Sequence, residues 1–203
     1  MSRRYAWLEA TTVLVMILCY IWWWRPLHPL SWIFILGLVL ASQAYRRETP
    51  VRLGFRLTNS KNALVVCTPA MLLLGLALVI GGAIGGTIRK VTLESGFLSL
   101  TLYCLWGLFQ QYLLNGYFLN RLSENARNAA PLLAALSFSV IHAPNWFLMI
   151  VTLLGGFASA KVYLRFRNLY VLGLYHGILG FLLYLCVPDS ISHHLYVGPK
   201  WFT

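Results

Sequence analysis

Four polar side chains interrupt the apolar segments of this 203-residue chain at positions where they could do chemistry. They are Gln110, Gln111, His142 and His176. Neutral imidazole is a competent base near neutral pH and the commonest metal-binding side chain. A carboxamide can orient a water molecule or donate a hydrogen bond to an oxyanion. The set is therefore compatible with hydrolysis of a substrate bond that lies between the histidines and the glutamines.

The composition restricts the class of protein that could carry such a site. Hydrophobic residues make up 59% of the chain and charged residues 10%, and the mean hydropathy is +0.70. Because a soluble domain carries roughly 25% charged residues, an ordinary soluble globular protein is excluded. The net charge of +11 is first a signal of membrane topology. No basic stripe with interleaved aromatic residues is visible, so no nucleic-acid partner is predicted.

Seven apolar stretches are long enough, or nearly so, to cross a hydrocarbon core that needs about 20 helical residues. We predict an all-α membrane protein, a polytopic bundle of about seven transmembrane helices, in one domain over residues 1–203. No internal repeat is visible. The predicted segments are 6–24, 29–45, 63–88, 95–119, 131–142, 145–164 and 169–187.

The fifth segment, 131–142, is too short to span a membrane alone and is followed by Pro144. Proline cannot continue the hydrogen bonds of a helix, which predicts a short or broken helix at this point. Irregular backbone within a membrane is tolerated only where it is buried in protein or lines a cavity. The break therefore indicates a site.

Lysine and arginine are distributed unevenly between alternate loops. One set of loops holds twelve of them and includes Arg3, Arg4, the segment 46–62 and the segment near 121–130 with Arg121. The other set holds four. Since cytoplasmic loops carry the excess, the N-terminus is predicted in the cytoplasm and the C-terminus outside. Counted from the cytoplasmic ends at ~1.5 Å per residue, Gln110, His142 and His176 lie roughly 12–17 Å deep. One polar cavity, open toward the cytoplasm, could hold all three.

The fourth segment has one small and polar face. Cys104, Gly107, Gln111 and Asn115 follow the i, i+3, i+7, i+11 spacing of a single helix side. Such amides can also simply hold neighbouring membrane helices together, and this alternative stays open. Cys104 could be a nucleophile beside a histidine, although a cysteine in an apolar helix is typically a packing residue. The four cysteines show no CxxC spacing, which indicates neither disulfides nor a zinc site.

Three short elements run from Gln110 to Gly116, from Phe138 to Pro144 and from Leu172 to Gly180. In order and spacing they resemble the motifs of the CPBP intramembrane proteases, which include the CAAX prenyl protease and the bacterial Abi and bacteriocin-processing proteins. The resemblance covers about residues 95–187, with the N-terminal spans in 6–94 outside it. In that family a glutamate pair is followed by an arginine four residues later, and Phe-x-x-x-His and His-x-x-x-Asn come next. The resemblance implies a glutamate that activates water, with the histidines and asparagine binding the water, the oxyanion or a metal.

This chain departs from the family pattern at four positions. The glutamate pair falls on Gln110 and Gln111, the arginine on Asn115, and the last asparagine on Gly180. The motif's phenylalanine and histidines are retained as Phe138, His142 and His176. A glutamine amide cannot take a proton near neutral pH and cannot replace the glutamate as general base.

Two functions are compatible with a motif set that keeps the histidines and has lost the glutamates. The first is a CAAX-protease-like intramembrane peptidase that hydrolyses a membrane-anchored peptide by a variant, histidine-centred mechanism. The second is a catalytically inactive member that binds a helix, lipid or pigment as an accessory or assembly subunit. No cofactor is required. A divalent metal on His142 and His176 would have two protein ligands, whereas catalytic zinc typically has three.

The expected partners are membrane lipids and a membrane-anchored peptide or transmembrane protein. The resemblance to bacterial proteins favours a bacterial inner (plasma) membrane. An endoplasmic reticulum location is also compatible with the sequence.

Overall fold

The computed structural model describes residues 3–203, with side chains from Tyr5 onward. Met1 and Ser2 lie outside the described residues, as do the side chains of Arg3 and Arg4 that enter the charge count. The described chain is helical and contains no strand. The main helices are α1 (Arg3–Cys19), α2 (Trp32–Tyr45), α4 (Ser60–Ile84), α5 (Leu93–Gln111), α7 (Ala130–Ile141), α8 (Trp146–Phe166) and α9 (Leu169–Cys186).

Shorter elements extend or connect these helices. A π-helix, Tyr20–Trp24, continues α1, and a second one, Tyr112–Leu119, joins α5 to α6 (Asn120–Ser123). The remaining short elements are the 3-10 turn Pro29–Ser31, α3 (Pro50–Leu53), α10 (Asp189–Ser192) and the 3-10 turns His193–Leu195 and Gly198–Phe202.

Five helical stretches of the described chain are long and apolar enough to cross a membrane, and two shorter apolar helices accompany them. Large apolar side chains such as Leu72, Leu73 and Phe97 are more than two-thirds exposed, as expected of surfaces that face lipid. The chain is an integral membrane protein, and the predicted polytopic helical bundle is confirmed. Each of the seven predicted segments corresponds to one apolar helix, the two shorter ones being Pro29–Tyr45 and Ala130–Ile141.

The fourth helical stretch is longer than predicted, because it continues to Ser123 instead of ending near residue 119. Arg121, placed in a loop by the sequence pattern, is a helical residue with 0% of its surface exposed. Its guanidinium pairs with Glu9 at 2.9 Å and with Glu48 at 2.7 Å. A paired charge can be buried where a lone one cannot, so the helix continues past the arginine.

Arg121 belongs to a cluster of charges that joins α1, α2 and the end of α6. Arg46 pairs with Glu9 at 2.9 Å and with Glu124 at 2.8 Å. Burial would lower the pKa of Arg46, but hydrogen bonds and the charges of Glu9 and Glu124 outweigh it and raise that pKa. We call Glu9, Arg46, Glu48, Arg121 and Glu124 the ion-pair cluster. It contains three of the chain's five acidic residues.

Two buried asparagines fix the turns on either side of α8. Asn145 accepts a hydrogen bond from the Leu148 amide at 3.1 Å and caps α8. Its side-chain amide also donates to the carbonyls of Ser192 and Tyr196, so the segment after α9 covers the break near Pro144. Asn168 caps α9 through the Val171 amide at 3.0 Å. The short helix α7 and the break that follows it were therefore predicted correctly.

Candidate functional site

Helices α5 and α9 touch backbone to backbone, and this contact sets the position of the site. A Cβ added at Gly177 would lie 2.4 Å from the Cα of Cys104, and one at Gly107 would lie 2.7 Å from the carbonyl oxygen of Gly173. Only glycine fits at such distances, and small residues four apart allow membrane helices to approach closely. Gln111 lies one turn after Gly107, and His176 precedes Gly177, so the contact brings their side chains together.

Gln111, Asn115 and His176 form a hydrogen-bonded row across this contact. The Gln111 amide nitrogen lies 2.9 Å from Nδ1 of His176. The Asn115 amide nitrogen donates to the Gln111 carbonyl oxygen at 2.5 Å and lies 3.4 Å from Oγ of Ser159 on α8. Gln111 is 4% exposed and Asn115 is 0% exposed. Protein groups therefore satisfy most of the hydrogen-bonding capacity of the two amides.

His142 is oriented by the backbone of its own helix. Its Nδ1 lies 2.7 Å from the carbonyl oxygen of Phe138. A carbonyl oxygen only accepts hydrogen bonds, so Nδ1 carries the proton and Nε2 of the neutral ring keeps a free lone pair. The Phe138 ring lies edge-on to both histidines, with centroids 4.8 Å from His142 and 5.9 Å from His176. The two imidazoles thus flank one aromatic ring.

Residues 92–182 match the family model described as type II CAAX prenyl endopeptidase Rce1-like. This segment, a little less than half of the chain, is similar to that family. The CPBP resemblance expected from the three motifs is therefore confirmed. No curated protein and no solved structure matches the chain.

The Rce1-like segment contains the remaining predicted site residues in different settings. Gln110 is half-buried and lies outside the row formed by Gln111, Asn115 and His176. A Cβ at Gly180 would lie 3.1 Å from the ring of Tyr103, so that aromatic ring fills the space beside the glycine. Cys104 is half-buried, and its backbone forms the contact with Gly177 described above. The structure thus joins Gln111, Asn115 and His176 in one row and places His142 and His176 against Phe138. Gln110 and Gly180 are not part of this row.

The π-helix that carries Asn115 has a brace that the sequence reasoning missed. Gln43 on α2 is 4% exposed. Its carbonyl oxygen accepts a hydrogen bond from the Tyr112 hydroxyl at 2.6 Å, and its amide nitrogen lies 3.4 Å from the Gly116 carbonyl oxygen. A signal was present, because Gln43 is an amide inside the second apolar segment, as Gln110 and Gln111 are in the fourth. Ser159 offered no such signal, since serine is common in membrane helices.

The carboxylates of the chain lie away from the two histidines, four of them in ion pairs and one exposed. Glu9, Glu48 and Glu124 belong to the ion-pair cluster, and Asp189 pairs with Arg89 at the far end of α9. Glu94 is exposed in the first turn of α5, seventeen residues and so about 25 Å from Gln111 along the helix.

The donor set does not fit a catalytic metal. Within residues 3–203, no three His, Cys, Asp or Glu side chains are grouped so that they could hold a metal ion. His142 and His176 alone would supply two ligands, and a catalytic zinc site typically has three. No step of a reaction is therefore assigned to a metal.

Proposed function

We propose that the chain is an intramembrane peptidase of the CAAX-protease type that hydrolyses a peptide bond by a histidine-centred mechanism. The observation that carries this proposal is the hydrogen bond from Nδ1 of His142 to the Phe138 carbonyl. It leaves Nε2 free to take a proton, in a segment that matches the model of an endopeptidase family. Neutral imidazole is suited to this task near neutral pH.

In the proposed reaction, Nε2 of His142 removes a proton from a water molecule as the water oxygen attacks the peptide carbonyl carbon. The carbonyl oxygen then bears negative charge, which a neighbouring N–H donor stabilises. We assign that donor to His176. His142 returns the proton to the leaving amine nitrogen as the C–N bond breaks, so the enzyme ends in its starting state. No cofactor takes part.

Two amides would bind the peptide in this scheme. Oδ1 of Asn115 is buried and has no hydrogen-bond partner among residues 3–203. Because a buried acceptor without a partner costs about 1–3 kcal/mol, it is suited to accept from a bound water or a substrate N–H. Gln110, half-buried beside the row, would contact the substrate backbone.

The proposed substrate is a membrane-anchored peptide that enters from the cytoplasmic side. The charge count of the loops supports a cytoplasmic N-terminus and an external C-terminus. The proposed location is a bacterial inner membrane, with lipids as the other partner.

A second function is favoured by one observation. No carboxylate lies beside His142 or His176 among the described residues, since the acidic side chains are paired elsewhere or exposed. In this alternative the chain is an inactive member of the family that binds a transmembrane helix, lipid or pigment as an accessory subunit. Its buried amides would then serve packing.

The test is turnover of a fluorogenic, lipidated peptide panel by the detergent-purified protein. We expect His142→Ala to lower kcat by 10²–10⁴-fold, the usual range for a lost general base. His28→Ala is the matched control, because His28 is exposed and lies outside the Rce1-like segment. A Gln110→Glu/Gln111→Glu variant completes the set. A silent wild type, with activity only in the glutamate variant, would overturn the peptidase proposal and support the accessory one.

A further inference from the structure

We infer that Ser159 and Asn115 are positioning residues that fix the tautomer of His176 and make its Nε2 a hydrogen-bond donor. This inference rests on the proposed function for its catalytic meaning, but it concerns the direction of the hydrogen bonds in the resting protein. The row runs from α8 through the π-helix and α5 to α9.

The direction is set at the α8 end by a backbone carbonyl. The Ser159 hydroxyl donates to the carbonyl oxygen of Gly156 at 3.0 Å. A carbonyl oxygen only accepts, and a serine hydroxyl has a single hydrogen to give. Oγ of Ser159 can therefore only accept from its other neighbour, the Asn115 side chain at 3.4 Å. The group of Asn115 that faces Ser159 must be the NH₂.

The same NH₂ group faces the Gln111 side chain, so the direction of this hydrogen bond also fixes the orientation of the Gln111 amide. Nδ2 of Asn115 donates to Oε1 of Gln111 at 2.5 Å. With Oε1 accepting from Asn115, the end of Gln111 that faces His176 is the NH₂, 2.9 Å from Nδ1. An NH₂ group only donates, so Nδ1 of His176 must be the unprotonated nitrogen. The proton of the neutral ring is then on Nε2.

The opposite direction would require two acceptors to face each other. If Nδ1 of His176 donated to Gln111, the Gln111 NH₂ would face Asn115 and require its carbonyl oxygen there. That oxygen would then also face Oγ of Ser159, whose hydrogen is held by Gly156. Breaking that bond would leave the Gly156 carbonyl without it, so the observed direction is favoured.

The two histidines consequently have opposite tautomers. His142 carries its proton on Nδ1, held by Phe138, and presents a lone pair at Nε2. His176 accepts at Nδ1 from Gln111 and presents an N–H at Nε2. One ring is suited to take a proton from water, and the other to stabilise an oxyanion. A glutamate at position 111 would accept at both ends and would reverse His176, so Gln111 determines which role this ring can perform.

The tautomers can be measured by ¹⁵N NMR of the full chain, labelled at histidine and held in lipid nanodiscs above pH 7.5. The five histidines are assigned by single substitutions. We expect Nε2-protonated His176 and Nδ1-protonated His142 in the wild type. We expect Gln111→Glu to convert His176 to the Nδ1-protonated form, and Ser159→Ala to give a mixture of both forms.

Two further variants separate positioning from simple packing. Ser159→Thr keeps the hydroxyl and should restore the single tautomer. Ser137→Ala is the matched control, because the Ser137 hydroxyl bonds only to its own helix at Leu133 in the described chain, and it should leave the His176 spectrum unchanged. Nδ1-protonated His176 in the wild type would overturn the inference. So would a Ser159→Ala spectrum identical to that of the wild type.

The outcome is independent of turnover. The predicted tautomers in a protein that hydrolyses none of the peptides would leave this inference standing and remove the proposed function. Turnover with a reversed His176 would do the opposite.

Discussion

The substitution Arg121→Met should destabilise the protein strongly, because it leaves the Glu48 carboxylate without its ion-pair partner. Arg121 donates to both oxygens of Glu48, at 2.7 and 3.1 Å, to Glu9 at 2.9 Å and to Ser42 at 3.1 Å. Glu9 keeps its bond to Arg46, whereas Glu48 loses its ion-pair partner. Removing one member of a buried pair costs about 3–5 kcal/mol. The Glu48 side chain is 21% exposed, so water offsets part of this, and we expect about 3 kcal/mol.

The loss can be measured by unfolding of the purified protein in mixed micelles at pH 7. A loss of about 3 kcal/mol corresponds to a folded-to-unfolded ratio more than 100-fold lower, at 1.4 kcal/mol per factor of ten. The matched control is Arg127→Met, which removes an exposed arginine and should stay within about 0.5 kcal/mol. Adding Glu48→Gln to Arg121→Met should recover stability, because the unpaired charge is gone. If Arg121→Met costs no more than the control, or if Glu48→Gln makes it worse, the reasoning about this cluster is wrong.

Two further predictions concern the contact of α5 with α9 and the far end of α9. Gly177→Leu should lower the free energy of unfolding by about 1–3 kcal/mol or more in the same assay, because its Cβ would lie 2.4 Å from the Cα of Cys104. Gly155→Leu is the control and should be tolerated, since a Cβ there would meet nothing within 4 Å. Asp189, outside the spans, has its pKa lowered by hydrogen bonds from Arg89. Its contribution to stability is therefore present above its unfolded pKa of about 3.9 and is lost as pH falls through the lower folded value. In melting curves between pH 2.5 and 6, the fall in melting temperature at acid pH should be smaller for Asp189→Asn than for the wild type. An unchanged pH dependence would contradict this prediction.

The helices could be predicted from the sequence because long apolar runs have few alternatives within a membrane. The end of the fourth helix could not, since the rule that charges mark loops fails for an arginine with carboxylate partners. Those partners, Glu9 and Glu48, are distant in the sequence. No local pattern reports that they meet Arg121.

For the site, spacing placed Gln111 and Asn115 on one face, and the structure joins them in one row with His176. The direction of the hydrogen bonds could not be predicted from the sequence. It depends on Ser159 and the Gly156 carbonyl, which lie on another helix. Spacing says which side chains share a face, but not which of their ends donate.

The direction of that row bears on what the glutamate variant can reveal. A carboxylate at position 111 would accept from Asn115 and from Nδ1 of His176. Arg46 and Arg121 would not neutralise it, because they are held by Glu9, Glu48 and Glu124. The related family has an arginine where this chain has Asn115, and a buried carboxylate without a cation is costly. With its oxygens held by these hydrogen bonds and no cation beside it, such a carboxylate would be poorly placed to take a proton from water. A glutamate variant that stays silent therefore says little about the fold's capacity for hydrolysis until Asn115→Arg is added. The activity of the unaltered chain, and its loss in His142→Ala, is the more decisive observation.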